Sequence, residues 1–161
     1  ATRPGAQYTR VTQAHRGGRM RQVRHLLEGK GRQVHAIGPD DPVLAAIQKM
    51  ADCHVGALLV MRGDELVGIV SERDYARKVI LLGRSSAETP VWQIMSSPVL
   101  TVSPHQTVED CMRLCTDRRI RHLPVLDART VVGVLSIGDL VKAVIDEQAE
   151  QLQQLQRYIA G

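Results

Sequence analysis

The sequence predicts an α/β protein of the α+β kind, built from two tandem β-α-β-β-α repeats that pack as one pseudo-two-fold module. Three observations carry this prediction. The stretch "GIVSERD" at 68–74 returns as "GVLSIGD" at 133–139. Residues 34–80 lie over 99–145 at a constant offset of 65 without a gap, and twelve of the 47 aligned positions are identical, more than chance supplies. Each copy also shows the same order of short apolar runs and helix-period segments.

The chain opens with a basic, flexible arm over 1–19. In the first 35 residues Arg3, Arg10, Arg16, Arg19, Arg21, Arg24, Lys30 and Arg32 face Glu28 alone, a local charge of +7 within a formal total of +4, so the remainder carries −3. Repeat 1 with its leading segment spans 20–80. Its leader, "VRHLLEGKG", reads as a short helix, and "VHAI" as a strand. A Pro/Asp turn then opens a helix with Val43, Ile47 and Met50 at helical spacing. Two apolar strands, "GALLVM" and "ELVGIV", join through "RGD", and a second helix starts at Ser71. Residues 81–98 form a linker whose Trp92, Ile94 and Met95 dock a short helix, the counterpart of the leader. Repeat 2, over 99–146, runs through "VLTV", a helix with Val108, Met112 and Cys115, then "HLPVL" and "TVVGVL" across "DAR", and a helix from Ser136. A C-terminal helix over 147–161 places Leu152, Leu155 and Ile159 on one face with Gln and Glu around the rest. Strands this apolar need helices on their faces, and a copy of fewer than 60 residues has little core of its own.

Composition limits the function classes. Apolar residues make up 43% and charged residues 24% of the chain, as in ordinary soluble proteins, and no apolar run approaches the ~18 residues of a membrane span. Cys53, Cys111 and Cys115 are an odd set without CxxC spacing, which argues against a disulfide framework or a thiolate metal site. The amino-terminal stretch has no apolar centre, so the expected compartment is the reducing cytoplasm. His15, His25, His35, His54, His105 and His122 show no HExxH or other ligand spacing, and no serine sits in G-x-S-x-G. Neither an enzyme nor a metal protein is expected. The arginine-rich arm has Tyr8 as its one aromatic, too little for base stacking, so nucleic acid is a secondary expectation.

The tandem β-α-β-β-α unit, the doubled Gly-apolar-x-Ser-x-x-Asp and the strand "RHLPV" strongly resemble a CBS-domain pair, named for cystathionine β-synthase. The likeness covers about residues 20 to 147. It implies a regulatory module that binds an adenosine-containing ligand in clefts between the copies: AMP foremost, with ADP, ATP, NAD(H) or S-adenosylmethionine as alternatives. Ser71-x-x-Asp74 and Ser136-x-x-Asp139 also read as helix capping boxes, and capping is compatible with a carboxylate that takes both ribose hydroxyls. Family geometry pairs each Asp with strands of the opposite copy. The Asp74 site then gains Leu100, Thr101, Arg121, His122 and Leu123, and the Asp139 site gains His35, Ala36, Gly56, Ala57 and Leu58.

The two sites are not equivalent. Asp74 keeps company with Arg73, Arg77 and Arg121, guanidinium groups suited to phosphate, whereas Arg118 and Arg119 read as a solvated turn. Asp139 has Gly138 where the other site has Arg73, with Lys30 as a cation from the leader, so this site takes a different appendage or stays empty. Glycines 68 and 133 serve either tight strand–helix packing or close approach of a nucleotide. The expectation is a cytoplasmic adenine-nucleotide sensor that forms a homodimer and signals to an unidentified regulated protein. The alternative is a structural or nucleic-acid-associated module that uses the basic arm.

Overall fold

The computed structural model of the chain describes residues 8–10, 21–31 and 33–160. Two elements precede the repeats, β1 (Tyr8–Arg10) and α1 (Val23–Lys30). Copy one contains β2 (Ala36–Ile37), α2 (Val43–Cys53), β3 (Ala57–Arg62), β4 (Glu65–Ser71) and α3 (Glu72–Tyr75), which runs on through a π-helical turn over Ala76–Ile80. A single 3-10 turn at Val91–Gln93 follows. Copy two contains β5 (Val99–Thr101), α4 (Val108–Arg118), β6 (His122–Asp127), β7 (Thr130–Ser136) and α5 (Ile137–Ala160).

The internal duplication is visible bond by bond. The antiparallel pairs β3–β4 and β6–β7 share one register, Ala57 opposite Ser71 and His122 opposite Ser136, with a bulge at Val60/Met61 and at Val125/Leu126. Helix α2 buries Val43, Ala46 and Met50, and α4 buries the aligned Val108, Cys111 and Cys115, the i, i+3, i+7 stripe of a helix lying on a sheet. Burial pushes the thiol pKa of Cys111 up to about 12, with Cys115 and Asp110 adding to the effect, and burial alone pushes Cys115 up to about 11. Both cysteines are therefore protonated core residues.

The leading segments are exchanged between the copies. Val23, Leu26 and Leu27 of α1 enter the core of copy two, against Val108, Cys111 and Leu135. Val91, Ile94 and Met95, which precede copy two, enter the core of copy one, against Val43, Met50 and Val67. Glycine 133 accepts this packing because a Cβ there would run into the Leu27 side chain, and one at Gly68 would run into the Met95 side chain. Both glycines admit close strand–segment packing. A third cluster, with Leu59 and Leu66 from one copy and Val99 and Leu126 from the other, joins the two halves.

Two features differ from the sequence expectation. Residues 8–10, placed in a flexible arm, form a strand parallel to β5, with Thr9 opposite Leu100 and Arg10 opposite Thr101. Tyr8 packs on the central cluster, which gives that strand its hold. The rest of the arm lies outside the described residues. The last helix of copy two and the C-terminal helix are one 24-residue element, since nothing between Ile137 and Ala160 breaks the backbone pattern. Among the described residues no helix is long and apolar enough to cross a membrane.

Candidate functional site

Both Ser-x-x-Asp turns close as capping boxes. The Asp74 amide donates to Ser71 Oγ at 3.2 Å, and the Ser71 amide returns a bond to Asp74 Oδ2 at 2.9 Å. In copy two the matching distances are 3.1 and 2.8 Å. Each helix start is further tied to the residue ahead of the middle strand, Glu72 N–H donating to Gly56 O at 3.1 Å and Ile137 N–H to Arg121 O at 2.8 Å. The carboxylates are thus fixed by short-range bonds on a rigid sheet.

Two clefts open beside these turns. One of about 280 Å³ holds Ser71, Arg73 and Asp74 from copy one and Arg119, Arg121 and His122 from copy two. The other, of about 450 Å³, is lined by Lys30, His35, His54 and Leu58 on one side and by Val134 and Ser136 on the other. Gly56, Ala57, Ile69 and His122 line both, so the clefts share a wall. Across that wall Gly56–Ala57 and Arg121–His122 are aligned positions of the two repeats.

Charge divides the clefts. Three guanidinium groups border the smaller one. Asp74 Oδ1 meets Lys78 of its own helix at 3.2 Å, and Lys78 also donates to Ile94 O at 2.8 Å. At the edge of the larger cleft Lys30 reaches from α1 to Asp139 Oδ2 at 2.5 Å and donates to Val134 O at 2.9 Å. Burial pushes the Asp139 pKa up, but the Lys30 and Ser136 hydrogen bonds and the Lys30 charge outweigh it, and the net shift is downward. His122 is shifted down by burial first and by the nearby Lys30 charge second, which favours the neutral imidazole.

The sheet-and-helix unit is repeated with a capped carboxylate at the same turn in each copy, and the CBS domain model matches residues 30–80 and 91–146. The chain belongs to the CBS-domain family. CBS domain-containing protein CBSX3, mitochondrial, of Arabidopsis thaliana is 46% identical over 127 residues, 76% of this chain and 62% of that protein. The chain therefore spans less than two thirds of that relative. A CBS domain of known crystal structure is 55% identical at a TM-score of 0.76, over 78% of this chain and 99% of that one. A CBS domain protein from Pyrobaculum aerophilum, solved in complex with AMP, is 26% identical at a TM-score of 0.69, over 80% and 98% of the two chains.

Within this CBS pair, Ser71, Arg73, Asp74, Arg121 and His122 meet at the smaller cleft, and Lys30, His35, Gly56, Ala57, Leu58 and Ser136 at the larger one. Asp139 stands behind the larger cleft, held by Ser136 and Lys30. Five expected residues lie elsewhere. Leu123 is fully buried in the core of copy two because strand alternation turns it away from the face His122 presents. Ala36 packs on the central cluster for the same reason, next to His35. Leu100 and Thr101 are paired with β1, and the Thr101 hydroxyl donates to Thr9 O at 3.4 Å. Arg77 sits exposed on the π-helical turn, outside the cleft lining.

Arg119 and His54 were missed. The offset of 65 pairs them, and each ends its helix in the left-handed conformation, at φ 53° and 55°, which brings one to each cleft. The alignment of the repeats held that signal. Reading Arg119 as part of a solvated turn set it aside. Among the described residues there is no group of three metal-ligating side chains.

Proposed function

We propose that this CBS pair is a regulatory module that senses an adenine nucleotide, AMP foremost, with the ribose on Asp74 and the phosphate toward Arg73, Arg119 and Arg121. The observation that carries the reading is the smaller cleft itself: a fixed carboxylate from one copy faces a guanidinium cluster contributed by both. A carboxylate takes two vicinal hydroxyls by charge-assisted hydrogen bonds, and guanidinium groups take phosphate through paired N–H donors. The AMP complex of the Pyrobaculum protein supports the same ligand class.

Binding to the native state alone adds RT ln(1 + [L]/Kd), about 2.7 kcal/mol at a hundredfold excess over Kd. A thermal-melt series with AMP, ADP, ATP, NAD(H) and S-adenosylmethionine is therefore expected to give a clear upward shift with at least one of them. No shift with any at millimolar concentration refutes the reading. Calorimetry then assigns the phosphate contact: Arg121→Ala weakens AMP by roughly tenfold, the order of one charged hydrogen bond, and leaves adenosine nearly unchanged, whereas Asp74→Ala weakens both.

The output of such a sensor is an altered surface read by another chain, and one partner in this reading is a second copy. Leu152, Leu155 and Ile159 on the distal half of α5 are 56%, 56% and 77% exposed, so they do not fold back on their own module. Asp146, Glu150 and Arg157 occupy the opposite arc of the helix, Gln148 continues the line of the stripe one turn back, and Gln151 and Gln156 flank it. Two such faces meet without like-charge repulsion, as a self-complementary two-fold contact requires.

A further inference from the structure

We infer that α5 pairs with its copy as a parallel, in-register, two-stranded coiled coil, and that Gln148 sets the register. The inference rests on the second-copy reading above and names how the two chains meet. Val141, Ile145, Gln148, Leu152, Leu155 and Ile159 follow one another at spacings of four, three, four, three and four. That is a heptad line, with Ile145, Leu152 and Ile159 at its a positions and Val141, Gln148 and Leu155 at its d positions. All six are exposed, and from 148 to 160 so is every other residue of the helix, so none of the described residues covers the line. It begins on the surface of copy two, where the neighbouring Ala143 is buried, and runs on without a break to the free half of the helix.

The residues beside the line say what covers it. The flanking e and g positions from 144 to 158 hold Val144, Ala149, Gln151, Gln156 and Tyr158, none of them charged. Asp146, Glu147, Glu150 and Arg157 all fall at the outward b, c and f positions. Charges at e and g direct a helix to a different partner, and here a foreign helix finds none to read while a second copy meets none that repels it. Isoleucine at two of three a positions with leucine at d is the pattern that favours two parallel strands.

Gln148 then decides the orientation. In a parallel pair d faces d, so the amide meets its equal, and each supplies a donor and an acceptor to the other. In an antiparallel pair d faces a, and the a positions available are Ile145, Leu152 and Ile159, so the amide is desolvated against an aliphatic side chain. A parallel pair shifted by one heptad carries the same cost, with Val141 or Leu155 opposite the amide. Parallel pairing places both paired-repeat cores at one end of the rod, where Val141 and Ile145 extend the contact onto their surfaces.

The test is disulfide cross-linking of the full chain in a glutathione redox buffer. Cys111 and Cys115 are buried, and Cys53→Ser removes the remaining thiol. In that background Gln148→Cys is expected to link to itself, and Gln154→Cys, on the outward arc, is not. When Gln148→Cys is mixed with Leu152→Cys or with Ile159→Cys, self-linked products are expected to predominate. Predominance of the mixed product means antiparallel strands and overturns the inference. Gln148→Leu is expected to tighten the dimer by roughly tenfold, the order of one desolvated amide per chain, and an unchanged dissociation constant in sedimentation means that the amide lies outside the seam. If wild type sediments as a dimer but Gln148→Cys does not link, the two copies meet elsewhere, and the inference fails while the second-copy reading stands. A monomeric wild type removes both.

Discussion

At the scale of single residues the informative position is His122, because it stands in the wall shared by the two clefts. Burial holds its folded-state pKa below the ordinary value of 6.5. The unfolded chain therefore takes up this proton first as pH falls through 6.5, and stability declines from there down to the folded-state pKa. His122→Gln lacks that titration. Urea denaturation at pH 7.5 and pH 5.5 should show a loss for the wild type that is smaller in the variant, and equal losses would place the proton uptake elsewhere. Asp139 acts in a separate window. Its depressed pKa gives stability that is present above the unfolded value of 3.8 and lost as pH falls through the still lower folded value. The same residue scale shows why some site positions could be read early. Ser71, Asp74, Ser136 and Asp139 announce themselves because the motif occurs twice, whereas Leu123, Ala36 and Thr101 depended on which face of a short strand looks outward. The two-residue β2 and the three-residue β5 give no alternation from which to decide that, and the run HLPVL in β6, where Leu123 lies, is apolar on both faces.

At the scale of elements, the exchange of leading segments is the property that sequence order concealed. The segment over 23–30 adjoins copy one along the chain and covers copy two in space, and no local pattern reports the crossing. The strands and helices within each copy were legible because the same apolar periods occur in both, and agreement between two independent copies removes the helix-or-strand ambiguity of short runs. Strand β1 was not legible, since "YTR" sits in a basic stretch and gains its partner from β5, far along the chain. The crossing can be tested through Gly133. A methyl group there meets Leu27, so Gly133→Ala should destabilise the fold by about 1–3 kcal/mol, the usual range for overpacking. Combining it with Leu27→Ala should cost less than the sum of the two single changes, because the cavity left by one receives the methyl of the other. Strict additivity in chemical denaturation would mean that the two residues do not touch.

At the scale of the whole molecule, the 24-residue α5 joins the paired-repeat core to an exposed apolar stripe. The helix begins at the capping box that joins Ser136, which lines the larger cleft, to Asp139, and ends at Ala160, so one continuous rod runs from the edge of that cleft to the stripe. Sedimentation of the protein at micromolar concentration should give a dimer, and Leu152→Glu with Leu155→Glu should weaken it while AMP binding persists. A monomeric wild type would remove the second copy as partner, and an unchanged dimer in the double variant would move the contact to another face. The exchanged leaders also determine how the chain responds to being cut. The loop after α3 exposes Leu81, Leu82 and Gly83, a suitable place for a protease to nick. Cleavage there separates neither half cleanly, because the first fragment carries the wedge that fills copy two and the second carries the wedge that fills copy one. Two pieces produced apart should each lack part of their interior and regain it on mixing, so the shortest sequence that folds is the pair, although the shortest sequence that repeats is half of it.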